Sequence, residues 1–167
     1  MPVNLPAVAD GVQIPMARSP RQLALDVAYG LAMNGTFYSW SGDDPAGMDC
    51  SGMVTHVLKS PGTIPRTSRF TAQGFYDLYS AHRIEPAPLA ALRPGMLVFW
   101  KRPNGTVRHI EMVFDLLTNG TVITIGASGG GPNTKTLADA IRDNAFVQLR
   151  PLAPGWAAAV DPFGETP

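Results

Sequence analysis

The chain has 167 residues, 45% of them hydrophobic, which suits one compact domain with a sizeable core. Thirteen basic residues balance thirteen acidic ones, so charge makes no case for nucleic acid or an anionic membrane as the main partner. The single cysteine excludes an internal disulfide and a thiolate zinc cage, and no cofactor or metal site is expected.

Residues 1–18 carry Pro2, Pro6 and Pro15 and read as an extended arm. The start, Met1-Pro2-Val3-Asn4, lacks the basic residues and apolar run of a signal peptide, and no stretch reaches membrane-spanning length. Synthesis as a cytoplasmic chain is therefore expected, with export by a signal-independent route left open. Ser19-Pro20-Arg21-Gln22 combines a cap, a proline at the first helical position and a glutamine three residues on. The apolar stripe Leu23, Ala24, Val27, Ala28 and Leu31 follows and stops at Asn34-Gly35. A Gly/Asp-rich loop from Phe37 to Met48 leads to Cys50, and from there Met53, Val54, Val57 and Leu58 share one helical face as far as Ser60-Pro61-Gly62. A weaker third helix is predicted after Pro65-Arg66-Thr67-Ser68, reaching about Ser80, with Gly74 inside it.

The second half reads as strands. Met96-Leu97-Val98-Phe99-Trp100 is a continuous apolar run of the buried-strand kind. From His109 the chain alternates, with Ile110, Met112, Phe114 and Leu116 on one face and His109, Glu111, Val113 and Asp115 on the other. Asn119-Gly120 predicts a two-residue hairpin turn with Thr121–Ile125 returning. After the small-residue stretch Gly126–Gly131, a short helix near Thr136–Arg142 and a strand near Ala145–Arg150 are predicted. Residues 151–167 read as a Pro/Ala-rich tail or linker, poorly ordered. Helices first and antiparallel strands second make an α+β domain over 19–150.

Cys50 is the first candidate for chemistry. It sits at a helix N-terminus, where the macrodipole favours thiolate over thiol, and Asp49 just before it can cap that helix. Position alone leaves open a buried structural cysteine. A nucleophile of this kind needs a base. Among the three histidines, His56 lies six residues on, about 120° around the same helix, and His82 sits in a Pro-rich connector. His109 starts a core strand on its more polar face and is the candidate base.

Tyr38-Ser39-Trp40-Ser41-Gly42, Gly47-Met48-Asp49-Cys50-Ser51-Gly52, Pro65-Arg66-Thr67-Ser68, Leu92–Trp100 and His109-Ile110-Glu111-Met112-Val113 occur in that order. Together they resemble the NlpC/P60 family of papain-like cell-wall cysteine peptidases, over roughly residues 20 to 130. The resemblance implies a Cys50 helix packed on a C-terminal antiparallel sheet, Cys50 as nucleophile and His109 as base. It implies Tyr38 in the site, positioning substrate and assisting the oxyanion hole formed at the helix start around Asp49 and Ser51. Arg66 matches the family's arginine after the helix, as a partner for a substrate carboxylate or as a structural tie between loops. The implied substrate is the stem peptide of peptidoglycan, most often its bond between D-glutamate and meso-diaminopimelate. With no signal peptide, the expected setting is a phage lysin: an endolysin released by a holin, which once led to a cell-wall-binding domain, or a tail component among phage tail proteins. The alternatives are an amidase or acyltransferase on the same Cys-His scaffold and a catalytically silent tail module.

Two departures stand out. Met96 occupies the place where the family commonly has Asp. More consequentially, aligning Ile125-Gly126-Ala127-Ser128 with the usual Ile-His-Ala-Ser run puts Gly126 where the family has the residue that orients the catalytic imidazole. The two-residue turn predicts Leu117 opposite Val122, Asp115 opposite Thr124, Val113 opposite Gly126 and Glu111 opposite Ser128. Glu111 and Ser128 then lie on the His109 face, roughly 7 Å along the strand, with Glu111 as the first candidate to hold the ring and Ser128 as the second.

Overall fold

The computed structural model describes residues 17–164, so the predicted arm lies almost wholly outside the described residues. Four helices and seven strands follow in chain order: α1 Pro20–Met33, β1 Asp43–Asp44, β2 Gly47–Met48, α2 Cys50–Lys59, α3 Ala72–Leu78, β3 Leu97–Lys101, β4 Val107–Leu116, β5 Val122–Ser128, α4 Leu137–Asp143, β6 Phe146–Pro151 and β7 Trp156–Val160. The fold is α+β. No helix among the described residues is long and apolar enough to cross a membrane.

Local chemistry sets the helix ends. Ser19 caps α1 by accepting a hydrogen bond from the Gln22 N–H at 3.1 Å, with Pro20 at the first position. Asp49 caps α2 by accepting from the Gly52 N–H at 2.7 Å. Thr136 and Asp139 form a reciprocal capping box on α4. The loop between α1 and α2, read from sequence as irregular, contains the small antiparallel hairpin β1–β2.

The main sheet is antiparallel, in the order β6-β5-β4-β3-β7. Its helix side packs Leu97, Phe99, Ile110, Met112 and Ile125 against the buried faces of α1 and α2, including Ala24, Ala28, Met53, Val54 and Val57. The opposite face has its own core, in which Val98, Trp100, Val113 and Ala159 pack with Leu92, Met96 and Val122 under the 84–92 connector. Burial on both faces explains why β3 is a continuous apolar run.

Two expectations are corrected here. The tail is not disordered through its length: Trp156–Val160 pairs antiparallel with β3, and Ala158, Ala159 and Val160 are fully buried. Its small side chains hide a strand that lies against the large residues of β3. The β4–β5 register also differs from prediction. The Gly120 N–H donates to the Leu117 carbonyl at 2.9 Å, and Gly120 has φ +84°, so the hairpin turns through a three-residue loop with glycine in the left-handed position. Leu116, not Leu117, is therefore opposite Val122. A bulge between Val113 and Asp115 adds a second one-residue shift. The two shifts sum to a full pleat, which preserves the faces but places Glu111 beside Gly126 instead of Ser128.

Candidate active site

Cys50 is the first residue of α2, held against the loop before it. A Cβ on Gly52 would lie 2.0 Å from the Gly42 carbonyl oxygen, so only glycine lets the helix start approach so closely. The Asp49 N–H donates to that same carbonyl at 2.9 Å. The Asp49 carboxylate accepts from the Ser51 hydroxyl at 2.9 Å as well as from Gly52. Both of its oxygens accept from Arg69 Nη2 at 3.1 Å, and Arg69 Nη1 reaches Ser51 Oγ at 3.1 Å. This clasp fixes the helix start and leaves the Cys50 and Ser51 N–H groups, which have no acceptor within the helix, for an incoming oxygen.

His109 stands on β4 opposite Trp100 of β3, with ring centroids 5.3 Å apart. Its Nε2–H donates to Glu111 Oε1 at 2.9 Å. Cys50 shares the cleft with the imidazole and is near enough to act on its charge. Burial works against a charge on the ring, but the contacts with Cys50 and then Glu111 outweigh it and raise the His109 pKa to about 9. Glu111 is 7% exposed, and its Oε2 accepts from the Thr124 hydroxyl at 2.6 Å. Burial alone would push its carboxyl upward; His109, Thr124 and the nearby Arg150 charge bring it below its ordinary value instead. Gly126 is what admits this side chain. A Cβ there would lie 2.7 Å from Glu111 Cγ, so Glu111 occupies the space that a side chain at 126 would need.

Asp49, Cys50, Ser51 and His109 line a cleft of about 680 Å³ that also includes Tyr38, Trp40, Ser128 and the Gly129–Gly131 stretch. Tyr38 is buried, and burial followed by the charges of Cys50 and Asp49 pushes its pKa well above the tyrosine range, so its hydroxyl stays a donor. Among the described residues, no group of three or more His, Cys, Asp or Glu side chains is placed to hold a metal ion.

The structure thus brings together Cys50, His109, Glu111, Tyr38, Asp49 and Ser51. Ser128 lines the cleft, but its buried Oγ has no hydrogen-bond partner among the described residues and does not hold the imidazole. Arg66 is exposed and does not line the cleft. The arginine that engages the helix start is Arg69, three residues on, which sequence reasoning missed; only the fold of the 61–70 loop separates the two.

The NlpC/P60 family's sequence profile matches residues 35–150. Among solved structures, the NlpC/p60 domain of the peptidoglycan hydrolase SagA is similar, with TM-score 0.54 and 21% identity over 84% of this chain and 97% of that one. A Staphylococcus aureus NLP/P60-family protein similar to lipoprotein gives TM-score 0.47 and 22% identity over 83% of this chain. The match spans 43% of that longer chain. No curated protein sequence matches this chain.

Proposed function

The chain belongs to the NlpC/P60 family, and on that premise we propose that it is a cysteine peptidase that hydrolyses an amide bond in the peptidoglycan stem peptide. The observation that carries the reading is one cleft lined by both the Cys50 residue at a helix N-terminus and the His109 imidazole, whose ring is bonded to the Glu111 carboxylate.

The geometry supports acyl transfer through the cysteine. The Cys50 thiolate attacks the scissile carbonyl carbon, forming a C–S bond as the carbonyl oxygen takes up negative charge. The N–H groups of Cys50 and Ser51 receive that oxyanion, with the Tyr38 hydroxyl as a further donor. The His109 imidazolium gives its proton to the leaving nitrogen as the C–N bond breaks, which leaves a thioester. Water then loses a proton to His109 and attacks the thioester, releasing a carboxylate and restoring the cysteine. Glu111 acts through the ring: it fixes the tautomer and keeps the charged form stable, the role the family assigns to the residue position that is Gly126 here. This filled position is what favours a working enzyme over a silent module.

The bond between D-glutamate and meso-diaminopimelate is the proposed target. Digesting purified sacculi and identifying the released fragments by mass tests this. New N-terminal diaminopimelate and C-terminal D-glutamate are expected, and cleavage at any other bond overturns the assignment.

A further inference from the structure

Glu111 takes the orienting role from the histidine's own strand, and that position exposes it to competition. Together with Arg108 and Arg150 it lines a side cavity of about 220 Å³. A flexible carboxylate with two guanidinium groups and open space beside it can turn away from the ring. Thr124 stands against that. It is 1% exposed and sits inside the sheet, paired with Val113 of β4 on one side and Arg150 of β6 on the other. Ladders on both flanks fix its backbone. Its Oγ1 lies 2.6 Å from Glu111 Oε2 and 3.3 Å from the Arg150 carbonyl oxygen. The hydroxyl has one hydrogen for these two acceptors, and the shorter, charge-assisted bond to the carboxylate takes it. With Oε2 held there, Oε1 is the oxygen left facing His109 Nε2, at 2.9 Å.

We propose that Thr124 is a positioning residue for the hydrolysis, its hydroxyl tethering Glu111 so that the carboxylate stays on His109 instead of turning to the arginines. This rests on the proposed reaction and adds to it a group that bonds neither substrate nor imidazole. Gly126 clears the space and Thr124, two residues before it on β5, supplies the anchor. One strand thus holds the receptor for a carboxylate that arrives from the next. The charged groups around that carboxylate are His109 and Arg108 on β4 and Arg150 on β6, and Cys50 acts on the same ring. β5 contributes no charge, and Lys101 of β3 is bound to Glu85. Burial would push the Glu111 carboxyl up; His109, Thr124 and Arg150 hold it below its ordinary value. Removing the hydroxyl takes away one of the lowering contacts, so the carboxyl then takes up its proton at higher pH.

The test compares wild type with Thr124→Val, which keeps the branched shape without the hydroxyl, and with Thr124→Ser, which keeps the hydroxyl. Thr124→Val should lower kcat on a soluble stem peptide about tenfold with little change in KM, and Thr124→Ser should recover most of the rate. In a Glu111→Ala background the valine substitution should cost nothing further in kcat, because the group it positions is gone. A packing role would lower both backgrounds alike. Carbon-13 NMR of glutamate-labelled protein reads the site without substrate: the chain has three glutamates, and Glu111→Gln assigns the signal. The Glu111 carboxyl should titrate at higher pH in Thr124→Val and return in Thr124→Ser. Melting of each variant separates lost folding from lost positioning. An unchanged Glu111 titration, an unchanged kcat, or equal losses in both backgrounds would overturn the tether and leave the hydrolase standing. Failure of wild type to cleave any stem peptide, with the Glu111 titration still governed by Thr124, would overturn the hydrolase and keep the tether.

Discussion

Replacing Glu111 with Gln removes the negative charge from His109 while keeping the shape of the side chain. The His109 pKa of about 9, against an ordinary 6.5, corresponds to about 3 kcal/mol favouring the imidazolium, net of the opposing burial. Cys50 and Glu111 supply that against the opposing burial, so the variant, with the Glu111 charge gone, has a lower His109 pKa. The sign is fixed by the chemistry. The imidazolium is the proton donor to the leaving amine, so activity declines as pH rises through the His109 pKa. The alkaline limb of kcat/KM should stand near pH 9 in wild type and at clearly lower pH in Glu111→Gln. At neutral pH the rate should fall on the order of 10–100-fold, because the amide still accepts from Nε2 but neither fixes the tautomer nor stabilises the charge as a carboxylate does. The assay is release of new amino groups from a soluble stem peptide, measured between pH 5 and 10. An unchanged limb together with an unchanged rate would refute the role assigned to Glu111.

Gly126→Ala should act on the same contact from the other side, since its Cβ would sit 2.7 Å from Glu111 Cγ. A loss of about 1–3 kcal/mol in urea unfolding is expected, and combining it with Glu111→Gly should remove most of that penalty in a double-mutant cycle. Arg69→Ala leaves the half-buried Asp49 carboxylate and Ser51 without their cation; about 1–2 kcal/mol of stability should go, with a drop in activity as the helix start loosens, read by melting and turnover together. Truncation after Arg150 removes β7 and exposes the β3 edge with Leu97 and Phe99 beneath it, so the shortened chain should be insoluble or lack a cooperative melt.

Much of the fold was legible because the signals were local. Ser19-Pro20 and Asp49 announce helix starts through groups that bond backbone N–H donors within three residues, and β4 alternates along its own length. What was not legible depended on partners distant in sequence. The strand over 156–160 has small side chains and gains its burial only from β3. The β4–β5 register turned on whether Asn119-Gly120 would form a two-residue or a three-residue loop, and on a bulge that no residue type marks. The two errors of one residue cancelled in facing but not in position, so Glu111 reached His109 while Ser128 did not. Arg66 and Arg69 show the same limit: composition places an arginine after α2, and only the loop's path decides which one meets Asp49. Gly126 reads from sequence as a missing residue, whereas in the fold it is the space that Glu111 fills.

The central claim is that Cys50 carries the acyl group, and acid quenching of wild type during cleavage of a stem peptide tests it most directly. Mass spectrometry should find the acyl fragment as a thioester on the peptide containing Cys50, and Cys50→Ala should release no fragments from the same substrate. Undiminished cleavage by Cys50→Ala would contradict the account.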